Sequence, residues 1–259
     1  RQVLAVAKRL VADGWRSVVA SAGGPVEREL AAAGSVHLKL TVETTNPLTL
    51  STNIGKLGRA IREHKVALVH AQSRAAAWSA SFAAKRADIP FVTSFETAYP
   101  GGDGRLTRRW NAVMAQGARI LAGSEHLADH IAQNYGVESS RLRIVHQGVD
   151  LEAFDPARMR GHRMAKLAER WQLGVDRKVV MLPGPLQPAL GHRLLLDAMQ
   201  RLARDDFVLL FCGDLDLRGA HGREIQAVIQ EAGLTHRVHF AGGCDDLPAA
   251  YALADLVVV

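Results

Sequence analysis

A glycine- and proline-rich loop in the second half of the chain is the first feature that suggests chemistry. It follows the apolar run 179–182 and precedes a patterned segment. Apolar residues recur in that segment at Leu195, Met199 and Leu202. The pattern predicts a strand, a tight loop and a helix with one buried face. A helix N-terminus offers free N–H groups and a positive dipole end, so Gly191 would let a phosphate approach the backbone. An ordinary βα turn without a ligand is the alternative.

Two other predicted strands in this half also end in residues suited to a ligand. Gly213 and Asp214 follow the run 207–212, and Gly242 with Gly243 follows the run 238–241. The Asp214 carboxylate could face a ribose or a base, although a turn aspartate is an equal alternative. Glycines at the next strand end would allow close approach to a planar base. The predicted ligand-binding residues of this half are therefore Gly184, Gly191, Gly213, Asp214 and Gly242.

Comparable loops interrupt the first half of the chain at 22–25, 71–74, 95–102 and 123–125. In an open parallel sheet the ligand crevice lies beyond the carboxyl ends of the strands. These loops are therefore expected at one sheet edge. They contain Gly23, Gly24, Ser73, Arg74 and Glu96.

Several other kinds of site lack support. His126 and His130 have a spacing that can bind zinc, but no third ligand is suggested, so a solvated helix face is favoured and no metal site is predicted. The sequence has no GxSxG, no GxxxxGK[ST] and no clear GxGxxG, which argues against a serine hydrolase and an NAD dehydrogenase. Aromatic residues make up only 5% of the chain, which argues against nucleic-acid binding through base stacking.

Apolar runs alternate with patterned helical segments along the whole chain. Near-continuous apolar strands predict parallel sheets covered by helices on both faces, which is a doubly wound α/β fold. Asn46, followed by Pro47, and Ser124 are predicted helix N-caps. The series breaks after Val145, so we predict one parallel-sheet domain over residues 1–150 and a second, partial domain over 151–259. The predicted strands are 16–21, 36–40, 67–70, 91–94, 119–122, 142–145, 179–182, 207–212, 238–241 and 256–259.

The composition of the chain limits the classes of protein to which it can belong. The chain has 259 residues, 48% of them hydrophobic, and a net charge of +6, which fits a packed core and anionic partners such as nucleotides, phosphates or an acidic membrane surface. Cys212 and Cys244 form no CxxC motif and no disulfide framework, which fits a reducing cytoplasm. No run approaches the roughly 18 apolar residues of a membrane helix. Because patterned elements occupy both ends and the first residue is not Met, we expect that both ends are truncated.

Four stretches, taken in order, resemble family 4 glycosyltransferases of the GT-B architecture and the bacterial cell-envelope type. Residues 69–78, VHAQSRAAAW, resemble the family's VHARSRAPAW. Residues 92–99, VTSFETAY, resemble VTTFHGTY, and residues 145–156, VHQGVDLEAFDP, resemble IPRGVDLERFDP. LPGPL at 182–186 with LG at 190–191 resembles LPGRLTRWKG. The resemblance covers nearly the whole chain.

The resemblance implies two Rossmann-like domains that face each other across a cleft. The second would bind a UDP- or GDP-linked sugar through Gly184, Gly191, Gly213, Asp214 and Gly242. The first would meet a glycan or lipid-linked acceptor through Gly23, Gly24, Ser73 and Arg74. Transfer would retain the anomeric configuration and would need neither a metal nor a cofactor besides the donor. Such a hexosyltransferase would build lipopolysaccharide or a related surface glycan in the cytoplasm, at the inner face of the membrane. The family's first strand and its acidic pair would lie outside residues 1–259.

Four functional positions depart from the family pattern. Pro185 replaces an arginine, Leu190 a lysine, Glu96 a histidine and Gln147 an arginine. Glu96 is thus the only candidate catalytic residue, and sugar transfer by this chain alone is not expected. These losses keep a second function open, that of a catalytically degenerate member acting as a binding or scaffold protein. They also predict weak binding of nucleoside diphosphates, with His192 or Arg193 as cations that could partly compensate.

One basic cluster predicts a contact with anionic lipid. It lies beside an amphipathic segment, and a solvated basic helix end is the alternative. The cluster consists of Arg105, Arg108, Arg109 and Trp110.

Overall fold

Strands and helices alternate throughout residues 2–99, 105–174, 176–202 and 204–259, which are the residues that the computed structural model describes. The chain divides into two units, Arg1–Gly148 and Val149–Val259. Arg1, residues 100–102 of the predicted loop 95–102, and Ala203 lie outside the described residues.

The first unit contains a parallel pair of strands and a parallel four-stranded sheet in the order β3-β4-β5-β6. Its strands are β1 Val18–Ser21, β2 Val36–Lys39, β3 Val69–Ala71, β4 Phe91–Phe95, β5 Arg119–Ala122 and β6 Leu142–Ile144. Its helices are α1 Gln2–Ala12, α2 Glu27–Ala32, α3 Pro47–Glu63, α4 Arg74–Arg86, α5 Arg105–Asn111 and α6 Glu125–Tyr135. A 3₁₀ segment, Ala112–Gln116, follows α5 directly.

The strands of the first unit form two separate parallel sheets. Within the part of the chain that the structure describes, β1 pairs with β2 and β3 pairs with β4, but no pairing joins β1 to β3. A cavity of about 570 Å³ separates the two strands. It is lined largely by apolar side chains of α1, α3 and α4. The facing edges of β1 and β3 therefore exchange no ladder hydrogen bonds.

The second unit holds one parallel sheet in the order β10-β7-β8-β9. Its strands are β7 Lys178–Pro183, β8 Phe207–Cys212, β9 Val238–Gly242 and β10 Leu256–Val257. Its helices are α7 Gly161–Arg170, α8 His192–Leu202, α9 Ala220–Glu231 and α10 Leu247–Leu253.

Side-chain alternation along β8 explains why this sheet is covered on both faces. Val208 and Leu210 belong to a core cluster with residues of α7 and α10, whereas Leu209 and Phe211 belong to a second cluster with residues of α8 and α9. Successive side chains of a strand point to opposite faces, so a strand that is apolar at every position needs helices on both sides. This is the predicted doubly wound arrangement.

Two local predictions of helix starts are confirmed. The Asn46 side chain accepts hydrogen bonds from the N–H groups of Leu48 and Thr49, at 2.9 and 3.4 Å, and Pro47 opens α3. The Ser124 hydroxyl accepts from the N–H of Leu127 at 3.2 Å. Among the helices that the structure describes, none is both long enough and apolar enough to cross a bilayer.

Candidate functional site

The loops after β7, β8 and β9 meet at the carboxyl edge of the second sheet. The N–H of Gly184 donates to the Cys212 carbonyl at 2.8 Å, and the N–H of Gly213 donates to the Gly242 carbonyl at 3.0 Å. Asp214 joins the same group, because its carbonyl accepts from the N–H of Leu186 at 2.9 Å. Four of the five ligand-binding residues predicted for this half are therefore brought together by backbone hydrogen bonds.

Glycine is required where the first two of these loops touch. A Cβ atom on Gly213 would lie 2.0 Å from the carbonyl oxygen of Gly184, so the two backbones pack directly against each other. Gly184 has a φ of +137°, a conformation that residues with side chains rarely adopt. Gly242 differs, since its φ is +68° and a Cβ there would meet no atom within 4 Å. The space beside Gly242 is open to a flat ligand.

Gly191, the fifth predicted residue, directs the loop into α8. Its φ is +73°, it ends the 3₁₀ turn Pro188–Leu190, and its carbonyl accepts from the N–H of Leu195 at 3.0 Å. The Leu190 side chain folds back onto Gly184, with its Cδ1 atom 3.0 Å from the place a Cβ there would occupy. Pro185 is exposed and has no N–H. The loop thus presents no cationic side chain at Pro185 or Leu190, the two positions where the resemblance implies Arg and Lys.

His192 does not supply the missing charge, which corrects the prediction made for it. Its side chain is buried, at 1% exposure, with its ring edge-on to Phe211 at 4.9 Å between centroids. Burial, and then the neighbouring His221, lower the pKa of His192, so its imidazole is neutral at pH 7. Arg193 is exposed but paired, at 3.3 Å from Asp197 and 3.8 Å from Glu224.

The buried face of α8 also differs from the prediction. His192, Leu196 and Met199 are its buried residues, whereas Leu202, the last residue of the helix, is 59% exposed. The buried stripe therefore starts one turn earlier than the apolar pattern indicated, and it includes the imidazole.

In the first unit, Gly23, Ser73 and Glu96 line the large cavity between β1 and β3. Gly23 and Gly24 have φ values of +106° and +146°. The N–H of Gly24 donates to the Glu27 carboxylate at 2.8 Å, and that of Gly23 donates to the Ser21 hydroxyl at 3.2 Å. These N–H groups are thus occupied by the side chains that flank the loop, Ser21 at the end of β1 and Glu27 at the start of α2. Glu96 is exposed directly after β4, and its catalytic role stays a prediction.

Arg74 is held in place at the start of α4. One of its guanidinium nitrogens, Nη1, donates to the Asn111 side-chain oxygen at 2.8 Å, and its Cζ atom lies 4.4 Å from the centre of the Tyr99 ring. Ser73 precedes it as the N-cap and accepts from the N–H of Ala76 at 3.4 Å. The position of Arg74 at a loop was predicted from the sequence, but these contacts were not.

A cavity of about 420 Å³ opens beside Arg74. Sequence reasoning identified Ser73 and Arg74 and missed the rest of its wall, because those residues come from separate segments and no local pattern links them. Its lining consists of Glu43, Thr44, Thr45, Ser73, Arg74, Ala75, Tyr99 and Trp110.

The basic cluster predicted to touch lipid is only partly at the surface. Trp110 is half-buried and stacks on Trp78 at 5.1 Å between centroids. Arg108 and Arg109 are both exposed, and Arg108 also donates to the Asn134 carbonyl at 3.0 Å. The side chain of Arg105 lies outside the described residues. Trp110 is therefore a wall of the smaller cavity and not an outward-facing membrane anchor.

His126 and His130 lie one turn apart on α6, as predicted. Among the residues that the structure describes, no group of three or more His, Cys, Asp or Glu side chains is placed to hold a metal ion.

Comparison with known sequences places both units in recognised domain families. The profile of Glycosyltransferase Family 4 matches residues 1–153, and that of Glycosyl transferases group 1 matches residues 165–259. A curated relative, the D-inositol 3-phosphate glycosyltransferase of Salinispora tropica, is 32% identical over 161 residues. That alignment covers 57% of this chain and 33% of the relative, so the chain spans about a third of that protein's length.

Two solved structures show the same fold. A glycosyltransferase from Rickettsia africae superposes with a TM-score of 0.87 at 25% identity, covering 99% of this chain and 68% of that one. Anabaena Alr3699/HepE, in complex with UDP and glucose, gives a TM-score of 0.80 at 21% identity, covering 99% and 69%. The predicted fold class, α/β with parallel sheets as in GT-B glycosyltransferases, is confirmed.

Proposed function

Because the chain belongs to glycosyltransferase family 4, we propose that its protein transfers a sugar from a nucleotide-sugar donor to a hydroxyl-bearing acceptor. One observation carries the proposal: Gly184, Gly213 and Gly242 converge at one sheet edge. HepE, which shares the fold, was crystallised with UDP and glucose, which supports a UDP-linked donor.

In this proposal the second unit binds the donor mainly through its backbone. The open space at Gly242 admits the base, and the exposed Asp214 carboxylate accepts hydrogen bonds from ribose hydroxyls. The diphosphate lies at the start of α8, where the first N–H groups of the helix lack intrahelical acceptors. Gly191, with its positive φ, allows the backbone to turn into the helix at that point.

The first unit would supply the acceptor. An acceptor hydroxyl oxygen attacks the anomeric carbon on the face from which the diphosphate departs, the bond from that carbon to the diphosphate oxygen breaks, and the nucleoside diphosphate leaves with the electron pair. The hydroxyl proton passes to a base, for which we propose the exposed Glu96 carboxylate. Following the resemblance to the cell-envelope type, we propose that transfer occurs with retention. No metal and no cofactor besides the donor enters this scheme.

The proposed acceptor is a cell-envelope glycan or a lipid-linked acceptor, used at the inner face of the membrane. The name of the Salinispora relative adds phosphorylated polyols to the acceptors worth testing. We also propose peripheral contact between exposed Arg109 and anionic lipid. Co-sedimentation with anionic vesicles but not with neutral ones is the expected result, and equal binding to both would remove this part of the proposal.

A turnover assay tests the central proposal. The full-length protein is incubated with UDP-glucose or GDP-mannose and a panel of glycan, lipid-linked and phosphorylated polyol acceptors, because transfer by residues 1–259 alone is not expected. Acceptor-dependent release of nucleoside diphosphate is expected, with a product whose anomeric configuration, measured by NMR, matches the donor. Glu96→Gln should lower the rate without changing donor affinity, whereas Glu63→Gln at the exposed C-terminal end of α3 serves as the control. Release that does not depend on any acceptor would contradict transferase activity.

A degenerate family member that binds but does not transfer is the second candidate function. One specific arrangement favours it: the donor loop carries Pro185 and Leu190, His192 is buried and neutral, and Arg193 is paired. In such a protein the acceptor would still bind, but neither a nucleoside diphosphate nor its sugar would bind tightly.

A further inference from the structure

The smaller cavity of the first unit, beside Arg74, has the chemistry of a specific ligand site. Its volume of about 420 Å³ falls in the range of about 300–1,000 Å³ that small-molecule pockets occupy. We propose that this cavity binds the acceptor of the transfer reaction, and that it selects a hydroxyl-rich ring that carries one anionic group, a phosphate or a carboxylate. The proposal rests on the proposed function and adds the chemical class of the acceptor.

Arg74 provides the anion-binding group. Its Nη1 atom donates to the Asn111 side-chain oxygen at 2.8 Å, and Asn111 is fully buried at 0% exposure. The guanidinium is therefore held by a side chain that is itself fixed in the core. The Tyr99 ring packs against the guanidinium of Arg74, whose Cζ atom lies 4.4 Å from the ring centre. A guanidinium has five N–H donors, and the bond to Asn111 occupies one nitrogen, so further donors remain for a ligand.

The charge of Arg74 is not neutralised by these partners. Asn111 and Tyr99 hold it through an amide oxygen and a ring face, and neither group carries a negative charge at pH 7. A positioned guanidinium of this kind binds phosphate or carboxylate oxygens through paired, charge-assisted hydrogen bonds. The hydroxyls of Thr44, Thr45 and Ser73 line the same cavity and can donate to the remaining oxygens.

Glu43 is the reason to expect a ligand with only one anionic group. Its exposed carboxylate also lines the cavity, so it repels a second anion and accepts hydrogen bonds from ligand hydroxyls. One cation and one carboxylate in a single pocket therefore suit a polyol with one anionic group better than a ligand with two anionic groups or a neutral sugar.

The aromatic wall suits a ring. Tyr99 and Trp110 both line the cavity. Trp110 is held by stacking on Trp78 at 5.1 Å and 26°, and its carbonyl accepts from the Trp78 indole N–H at 3.2 Å. The rings of Tyr99 and Trp110 offer flat apolar surfaces to the C–H face of a sugar or cyclitol, while polar groups of the cavity fix the orientation of that ligand.

Binding to the full chain without any nucleotide tests the proposal. Calorimetry and saturation-transfer NMR are run with glucose 6-phosphate, glucose and inorganic phosphate as probes. Glucose 6-phosphate should bind at least about tenfold more tightly than either other probe, since only it engages both Arg74 and the aromatic wall. Equal affinity for glucose and glucose 6-phosphate would overturn the proposal, and so would tighter binding of inorganic phosphate.

Substitutions locate the site. Arg74→Gln should weaken glucose 6-phosphate binding by about 10- to 100-fold, the range expected for the loss of one charge-assisted hydrogen bond. Arg86→Gln is the matched control, because it removes the same charge from the exposed end of the same helix and should leave binding unchanged. Equal losses in the two variants would show a general charge effect and would contradict the site.

Two milder variants test whether a loss of binding could instead come from a folding defect. Arg74→Lys keeps the charge but loses the paired donors, so it should bind with intermediate affinity. Thr45→Val removes an exposed hydroxyl of the pocket wall and should weaken binding severalfold with unchanged thermal unfolding. Wild-type affinity in both would overturn the proposal. Because no nucleotide is present, this test does not depend on the donor site. A protein with no transferase activity can still show Arg74-dependent binding, so failure of this proposal and failure of the proposed function are distinguishable.

Discussion

At the residue scale, Pro185 and Leu190 predict how tightly the proposed donor diphosphate would be held. Each charge-assisted hydrogen bond from an Arg or Lys would contribute roughly 1.5–3 kcal/mol, whereas the α8 dipole supplies only about 0.3–1 kcal/mol. The unmodified protein should therefore bind UDP, GDP and their sugars weakly. Pro185→Arg combined with Leu190→Lys should tighten binding by roughly 10²–10⁴, measured by calorimetry.

A matched control separates geometry from charge in this experiment. Ala189→Lys adds a cation to the same exposed 3₁₀ turn without replacing the side chain that packs on Gly184, and it should give no comparable gain. Micromolar binding of UDP by the unmodified protein would show that backbone contacts suffice, and would favour an ordinary active transferase over the binding-protein alternative.

His192 gives a second prediction at this scale, on stability against pH. Because burial lowers the pKa of His192 in the folded state, the unfolded chain binds more protons than the folded one once the pH falls through about 6.5. The free energy of unfolding should then decrease by at most about 1.4 kcal/mol per pH unit on account of this one group. His192→Phe, which keeps a ring against Phe211, should lose less stability between pH 7 and pH 5.5 than the unmodified protein in urea unfolding.

The comparison needs a second histidine variant. His126→Phe removes an exposed imidazole from α6 and should leave the pH dependence unchanged. If His192→Phe and the unmodified protein lose stability in parallel, the acid sensitivity arises elsewhere, for example at His239, whose pKa burial also lowers.

At the element scale, the sequence predicted those features that depend on neighbours along the chain. The caps at Asn46 and Ser124 follow from residues two or three positions away. The convergence of Gly184, Gly213 and Gly242 follows from a general property of parallel sheets, whose strand ends share an edge. The contacts of Arg74 could not be predicted, because Asn111 lies 37 residues further along and no periodicity links the two.

The buried face of α8 was mispredicted for a related reason. His192, Leu196 and Met199 have the spacing of one helix face, so the pattern was present in the sequence. A histidine next to a predicted phosphate site was interpreted as a cation facing the ligand, whereas packing against Phe211 makes it a core residue. Residue type alone does not decide between these positions.

The contact between the β7 and β8 loops gives the prediction for this scale. Gly213→Ala would bring a Cβ atom to 2.0 Å from the Gly184 carbonyl oxygen, a backbone atom that cannot rotate away. Such overpacking typically costs about 1–3 kcal/mol, so urea unfolding of the second unit should shift by that amount and donor binding should weaken with it. Gly243→Ala, where a Cβ would meet nothing within 4 Å, is the control and should be close to neutral. Similar stability of the two variants would show that the loops can separate at little cost.

At the scale of the whole chain, the two units of residues 1–259 differ in how their strands are paired. In the second, β7 and β8 are each paired on both sides and lie between helices on both faces. In the first, β1 and β2 form a sheet of their own beside the cavity of about 570 Å³. The apolar pattern of each strand does not reveal this difference, because only the pairing of the strand edges distinguishes the two units.

The difference in edge pairing predicts where the fold opens first. An isolated two-stranded sheet is only marginally stable, and the core cluster beside β1 contains just Leu4, Ala7 and Leu30 as buried residues. By contrast, β4 is hydrogen-bonded to strands on both sides and packs in the larger cluster around Phe95 and Ile120. Native-state hydrogen exchange should therefore show faster exchange for residues 18–21 and 36–39 than for residues 91–95 and 119–122. Residues 207–212 of the second sheet serve as the internal reference and should match the slower group. Equal protection of all five segments would show that the β1–β2 pair is stabilised by its helices alone, and that the cavity beside it costs the fold little.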